Sequence, residues 1–398
     1  MAEPWLTIIG IGEDGLAGLS EASRNALDRA EAVFGGERHL KLARIDGRGK
    51  PWPVPFDAAC VLARRGRPTA VLASGDPFWH GAGGSLAAKL SPGEWVAHPA
   101  PSTFSLAAAR LGWRLEEVSC LGLHAAPLER LVPQLSRGAR ILCLVRDQTA
   151  AADLAKFLTA RGFGVSRLWT LSALGGPRER IVESCAESYA ADATEPPLAV
   201  AIEAEGAAGL PRAAGLADDL FRHDGQITKR PVRALALSAL APRPGERLWD
   251  IGSGSGSISI EWALAGGRAI AIEVREERAG NIRANAAAFG LAHRIAVVTG
   301  SASDVLASLE KPDAIFIGGG LDAPTFDSIW PLLPDGTRVV AHAVTLETEA
   351  LLAELQRRHG GELMRVEISH AAALGRFRAW EAARPIVQWC AVKGEQHA

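Results

Sequence analysis

The run Leu248-Trp249-Asp250-Ile251-Gly252-Ser253-Gly254-Ser255-Gly256 sets three glycines at alternate positions after an apolar, strand-like stretch. Apolar residues at helical spacing over 258–264 follow, so the glycines fall between a strand's C-terminal end and a helix start. Glycine lets the backbone turn tightly and come close to a ligand, and the free N–H groups of a helix start attract an anion. That anion is pyrophosphate in a dinucleotide enzyme and a methionine carboxylate in a methyltransferase. A second residue chooses between them. Glu273 ends the next predicted strand ~20 residues beyond the glycines, where a carboxylate accepts both ribose hydroxyls of an adenosine. A dinucleotide Gly-x-Gly-x-x-Gly would place its third glycine at 257, where this chain has Ser257. The spacing therefore favours S-adenosylmethionine, held by Gly252, Ser253, Gly254, Ser255, Gly256 and Glu273. A glycine turn without a ligand is the competing reading, and the topology and the spaced acid weigh against it.

Later in the chain, Asn281 and Asn285 share a helical face beside Arg283, a pattern that suits solvent as well as function. Ser301-Ala302-Ser303-Asp304 follows the third predicted strand, where methyltransferases of this topology often hold adenine. Gly318, Gly319 and Gly320 end the fourth, at the mouth of an open α/β sheet, and either admit a flat, bulky substrate or form a simple loop. In the first half, Gly10-Ile11-Gly12-Glu13-Asp14-Gly15 fits Gly-x-Gly-x-x-Gly literally. No acid ends a second strand at the right distance, and the helix starts only at Ser20, so no dinucleotide site is expected there. Ser74-Gly75-Asp76-Pro77 follows an apolar strand and reads, on its own, as a tight turn.

The elements that must position these residues are strands alternating with helices. Strands are predicted over 6–9, 69–73, 95–97, 139–145 and 198–202, then over 247–251, 269–272, 295–298, 314–317 and 338–341. Helices are predicted over 85–90, 103–111 and 150–160, and after each strand of the second half. Such alternation implies βαβ units and largely parallel sheets, an α/β fold. The small and Gly-Pro residues of 206–215 interrupt the pattern, which divides the chain into domains 1–206 and 207–398.

The composition, with 48% hydrophobic and 22% charged residues, is that of a soluble globular chain, and the net charge of −2 argues against a nucleic-acid partner. Five scattered cysteines never form Cys-x-x-Cys and the histidines form no ligand pair, so no metal site is expected. The N-terminus lacks a signal-peptide pattern and no apolar stretch is long enough to span a bilayer, so the expectation is a cytoplasmic protein without a membrane partner.

In combination the motifs carry a resemblance. Asp224-Gly225-Gln226-Ile227-Thr228-Lys229-Arg230, the glycine loop, Ile317-Gly318-Gly319-Gly320 and Ala343-Val344-Thr345-Leu346-Glu347-Thr348 resemble the decarboxylating precorrin methyltransferase domain of the cobalamin pathway, over most of 220–395. This implies a class I Rossmann-like methyltransferase with cofactor contacts at Thr228, the loop from Gly252 to Gly256, Glu273 and Ala302. The first half, over roughly 5–205, resembles the tetrapyrrole methylase family in its precorrin carbon-5 branch. The resemblance rests on the run from Gly10 to Gly15, Gly35-Gly36-Glu37-Arg38-His39-Leu40, Ser74-Gly75-Asp76-Pro77, Pro101-Ser102-Thr103-Phe104 and Gly175-Gly176-Pro177-Arg178-Glu179-Arg180. It implies a fold of two small α/β subdomains with a cofactor cleft between them, lined by Ser74, Gly75, Asp76, Pro77, Ser102 and Thr103. Phe78-Trp79-His80 is bulkier than that family's usual continuation, and Ser20 replaces a threonine.

Fused in this order, the two halves imply S-adenosylmethionine-dependent methylation of precorrin-6B at carbons 5 and 15, with loss of the carbon-12 acetate carboxyl, giving precorrin-8X. The first half would serve carbon 5, and the second carbon 15 and the decarboxylation. Methyl transfer needs alignment more than a strong base, which accounts for the lack of an evident catalytic dyad. His342 and His370 fall near predicted strand ends and are candidate proton donors, with a structural role the favoured reading of each. The substrate's carboxylates call for cations, and Lys229, Arg230 and Arg233 are the first candidates, against an equal case for a solvated helix face. Gly318 and Gly319 would lie against the macrocycle. The resemblance also implies a homo-oligomer, a tetramer built through the C-terminal domain. An RNA methyltransferase and a non-catalytic cofactor or tetrapyrrole sensor are the alternatives.

Overall fold

Continuous apolar runs build the strands, because sheets covered on both faces bury every position of a strand. The first such run, Leu6–Ile11, is buried at five of its six residues. The computed structural model describes residues 4–190 and 196–395, which fall into two compact units, Met1–Leu128 with Gln134–Ala208 and Gly209–Ala398 with Glu129–Pro133.

The first unit contains two sheets. Strands β1 (Leu6–Ile11), β2 (Ala32–Gly35), β3 (Gly49–Pro51), β4 (Thr69–Ser74) and β5 (Trp95–His98) form a wholly parallel sheet in the order β3-β2-β4-β1-β5. Strands β6 (Val118–Gly122), β7 (Arg140–Val145), β8 (Arg167–Ser172), β9 (Arg180–Cys185) and β10 (Leu198–Glu203) form the second, ordered β6-β7-β10-β8-β9. Here the expectation of largely parallel pairing fails, since only β6 and β7 run parallel and the remaining three pairings are antiparallel. No helix intervenes between β8 and β9, so the chain returns as a hairpin.

The second unit is built on a seven-stranded sheet. Its strands are β11 (Arg247–Ile251), β12 (Arg268–Glu273), β13 (Ile295–Thr299), β14 (Ala314–Ile317), β15 (Arg338–Ala343), β16 (Glu362–Val366) and, after the separate hairpin β17 (Ser369–Leu374) and β18 (Phe377–Ala382), β19 (Ile386–Val392). The order is β13-β12-β11-β14-β15-β19-β16, parallel through β15 and antiparallel beyond it. The chain winds outward from β11 to β13 and then crosses to β14, which opens a crevice at the C-terminal ends of β11 and β14.

Polar caps fix the helices that frame both crevices. Ser102 Oγ accepts the Ser105 N–H at 3.0 Å to start Thr103–Leu111, which Gly112 ends in the left-handed region at φ 66°. Asp147, Asp322 and Thr345 cap their helices in the same way. The second unit's core contains three fully buried tryptophans whose indole N–H groups all find backbone carbonyls. Trp249 donates to Glu310, Trp262 to Glu246 and Trp389 to Gly360, at 3.0, 3.3 and 2.9 Å.

Candidate functional site

Each unit holds a cleft at the C-terminal ends of its parallel strands. In the second unit the crevice has a volume of about 710 Å³. Gly252, Ser253 and Gly254 line it from the end of β11, Glu273 from β12, and Gly318, Gly319 and Gly320 from β14. Thr228 and Lys229 line it from the segment before the helix Arg230–Leu240.

The glycines have separate duties. Gly252 and Gly254 turn the loop with φ of 67° and 59°, and Gly254 N–H donates to Glu273 Oε2 at 2.9 Å. Gly256 also has positive φ, but a Cβ there would stand 2.8 Å from Ile282 Cγ2, so it packs the helix against its neighbour and does not line the cleft. Ser255 is likewise buried behind the loop. Gly319 and Gly320 have φ of 157° and 71° with open space where a side chain would point, so their glycine requirement is conformational. Gly318 N–H donates to Ile251 O at 3.2 Å, which ties the two glycine loops together.

Asp250 anchors the loop from within. Its Oδ2 accepts from Ser253 Oγ at 2.7 Å and from Ser259 Oγ at 2.6 Å, while burial raises the carboxyl's pKa and the Ser259 and Ser253 hydrogen bonds oppose the rise. Asn285, for which solvent and function looked equally suited, is neither solvated nor in the cleft. Its amide donates to Ser255 O and Arg222 O and accepts from Arg222 N–H, all at 2.8–2.9 Å, and so fastens the segment entering the cleft to the glycine loop.

Of the proposed cations, Lys229 is exposed and 3.7 Å from Asp218, while Arg230 lies outside the lining. Arg233 is corrected outright. It is completely buried, paired with Glu261 at 2.6 Å and Asp218 at 3.1 Å, and it donates to the carbonyls of Thr228 and Leu216. Two cations that the sequence left unnoticed do line the cleft, Arg278 and Arg384. Arg278 bonds Asp224 at 2.7 Å and holds that carboxyl below the ordinary range, with the Gln226 N–H adding to the effect. Ala302 packs partly buried against the core beside β13, outside the lining.

His342 and His370 both reach the cleft. Burial lowers the pKa of His342, and its Nε2 shares a 2.8 Å hydrogen bond with Gln388 Oε1, so it is a neutral imidazole with its proton on Nε2. His370 is exposed on β17.

The first unit's cleft, of about 500 Å³, lies between its two sheets. Ser74, Ser102 and Thr103 line it, whereas Gly75, Asp76 and Pro77 shape the turn behind Ser74. Gly75 has φ 53°, and a Cβ there would meet Pro101 O at 2.8 Å, while Asp76 Oδ1 accepts the Phe78 N–H at 2.9 Å. The bulky continuation contributes to the lining, since Trp79 and His80 join Trp52, Phe56 and Phe104 to give an aromatic wall. The Gly10 to Gly15 run has packing and pairing duties. Gly10 lets β1 approach Gly75, whose carbonyl would sit 1.9 Å from any Cβ, and Glu13 pairs with Arg38 and, at 3.3 Å, with Arg178. Arg38 in turn bonds Ser74 Oγ at 2.7 Å and the His39 ring at 2.9 Å. Four of the runs quoted from the sequence thus meet at one cluster.

Burial, with help from the Arg38 charge, lowers the His39 pKa from 6.5 to about 4. The folded state therefore binds fewer protons than the unfolded chain between these values, so His39 costs stability as pH falls below 6.5, with the loss complete near pH 4. The expected penalty at pH 4 is about 3 kcal/mol from 1.36 kcal/mol per unit. Melting curves of the full chain and His39→Gln across this range measure it. Parallel curves for the two proteins would contradict the shift.

Two family profiles match the chain in tandem: Tetrapyrrole (Corrin/Porphyrin) Methylases over residues 5–189 and Precorrin methyltransferase domain over residues 219–393. A Sinorhizobium protein named precorrin-6Y C(5,15)-methyltransferase (decarboxylating) is 48% identical over 99% of this chain and 98% of its own. A Mycobacterium tuberculosis protein of the same name is 39% identical over 98% of this chain and 100% of its own. The solved C-terminal domain of precorrin-6Y C5,15-methyltransferase from Rhodobacter capsulatus is 53% identical, covering 46% of this chain and 100% of that domain, with a TM-score of 0.46.

Proposed function

Because the chain belongs to the family of precorrin-6Y C(5,15)-methyltransferases (decarboxylating), we propose that it methylates a precorrin at carbons 5 and 15 and decarboxylates it. Domain 1–206 would serve carbon 5, and domain 207–398 carbon 15 and the decarboxylation. When bound, S-adenosylmethionine supplies the methyl group in each cleft. In the second, Glu273 would accept the ribose hydroxyls, the Gly252–Gly254 turn would receive the methionine carboxylate, and Thr228 would contact the cofactor beside them. In the first, Ser102 and Thr103 would border the cofactor, and Ser74 would stand between it and the substrate.

The observation that carries this reading is the placing of Gly252, Gly254, Glu273 and Gly318–Gly320 around one crevice at the switch point of the sheet. Gly319 has open space where a side chain would point, so a flat ring could lie there and against Gly318, and Lys229, Arg278 and Arg384 offer positive charge to its carboxylates. Trp52, Phe56 and Trp79 offer ring faces to the macrocycle in the first cleft. Positioning and exclusion of water do most of the work for methyl transfer. His370 is the imidazole open to the second cleft for moving a proton, because His342 is committed to Gln388.

Five unpaired cysteines suit a cytoplasmic setting, and among the described residues no helix is long and apolar enough to cross a membrane. The exposed Leu374, Phe377 and Trp380 of the β17–β18 hairpin support self-association through the second unit. The deciding experiment is mass spectrometry of precorrin-6B incubated with the full chain and S-adenosylmethionine. The expected product has gained two methyl groups and lost carbon dioxide. Binding of both compounds without turnover would instead favour a sensor.

A further inference from the structure

We propose that Ser74 and His39 form the proton acceptor of the first cleft, with Ser74 Oγ toward the substrate and His39 Nε2 behind it. The inference rests on the reading of that cleft as a carbon-methylating site. Both side chains line the cavity, and Nε2 stands 2.8 Å from Ser74 Oγ. The tautomer follows from the neighbours. Arg38 only donates, and its guanidinium nitrogen is 2.9 Å from the same Nε2, so Nε2 must be the bare, accepting nitrogen. The proton then sits on Nδ1, which is buried with no hydrogen-bond partner among the described residues.

The charged groups around the pair are Arg38 on the same helix, Glu13 after β1 and Arg178 after β8. Glu13, itself buried, binds both arginines and so offsets charge that would oppose a proton on His39. Ser102 is unsuited to the task, because its Oγ is committed to capping the helix Thr103–Leu111.

Methylating a ring carbon that bears hydrogen uses the electron pair of a ring double bond to form the C–CH3 bond and leaves the ring with one positive charge. Loss of that carbon's proton returns the C–H pair to the ring and restores the double bond. The proton passes to Ser74 Oγ as the hydroxyl passes its own to His39 Nε2, whose lone pair Arg38 gives up while it keeps its bonds to Ser74 and Glu13. Serine is regenerated and His39 leaves the step as imidazolium, which gives its proton to water once product has left. A weak base is enough here, because the methylated ring is cationic and its C–H strongly acidic. Such a base also stays unprotonated at neutral pH.

The test uses the full chain with S-adenosylmethionine and precorrin-6B. His39→Gln is expected to slow carbon-5 methylation about 100-fold or more, the usual range for losing a general base. Carbon-15 methylation and calorimetric cofactor binding should stay within about twofold. Added imidazole should restore carbon-5 methylation to His39→Gly, a rescue that lost packing would not show. Independently of turnover, nitrogen NMR of histidine-labelled protein at pH 7 should show His39 protonated at Nδ1 and bare at Nε2. An Nε2-protonated ring, or wild-type carbon-5 methylation that His39→Gln leaves intact, overturns the inference alone. Absence of carbon-5 methylation by the wild-type chain overturns the reading of the cleft and the inference with it.

Discussion

Glu273→Ala is expected to abolish carbon-15 methylation and carbon dioxide loss while leaving carbon-5 methylation in place. The carboxylate is almost fully buried at the end of β12, and its two oxygens accept from Gly254 N–H at 2.9 Å and Arg275 N–H at 3.0 Å. Those bonds use one lone pair on each oxygen and leave the others for ribose hydroxyls. Two hydrogen bonds to a charged group are worth about 1.5–3 kcal/mol each. Their loss weakens the proposed S-adenosylmethionine site at least 100-fold. The alanine also strands the Gly254 N–H, so the loop that faces the methionine carboxylate loosens as well. Calorimetry of the wild-type chain should give two cofactor sites, and the variant one. Glu273→Gln retains one carbonyl acceptor and should fall between them. If Glu273→Ala still titrates with two sites of unchanged affinity, the residue is not a cofactor contact.

What the sequence made legible follows from how local the signals are. Strand β14 begins and ends where its apolar run does, because a strand buried on both faces has no polar position to blur its limits. Helix Thr103–Leu111 is equally clear, with Ser102 before it and Gly112 after it. By contrast, β16, β17 and β18 are exposed at most positions and carry no buried run to read. The antiparallel β8–β9 return hides for another reason, since β9 is exposed or half-buried along its length. The sites divide in the same manner. Gly252, Gly254 and Glu273 belong to one βαβ unit, so spacing alone brings them together. Glu13, Arg38, Ser74 and Arg178 lie on separate loops, and only the order of strands in the first unit makes them neighbours. Arg278 meets Asp224 across 54 residues of sequence, and nothing in the composition of either segment predicts it.

The exchange of roles between Lys229 and Arg233 has the largest consequence for stability. From the sequence, three cations at 229, 230 and 233 looked alike, and helical phase alone decides that Val232, Arg233, Ala236 and Leu237 face inward. Arg233 then replaces water with Glu261, Asp218, two backbone carbonyls and the face of Phe221 at 4.8 Å. Glu261 is equally buried and also accepts the N–H groups of Gly215 and Leu216 at 2.6 and 2.9 Å. Removing one partner of such a pair leaves a buried charge unmatched, so Arg233→Ala is expected to destabilise the second unit by about 3–5 kcal/mol. For a unit of this size the melting temperature should fall on the order of 10 °C. Replacing both charges by apolar groups, as in Arg233→Met with Glu261→Leu, should recover much of that loss, because neither desolvated charge remains. It cannot restore the grip on the Thr228 carbonyl. The double variant should therefore melt well above Arg233→Ala yet bind S-adenosylmethionine weakly in the second cleft, which separates the stabilising duty of the arginine from its positioning of Thr228. A single variant that melts within about 2 °C of wild type would place the ion pair outside the determinants of stability.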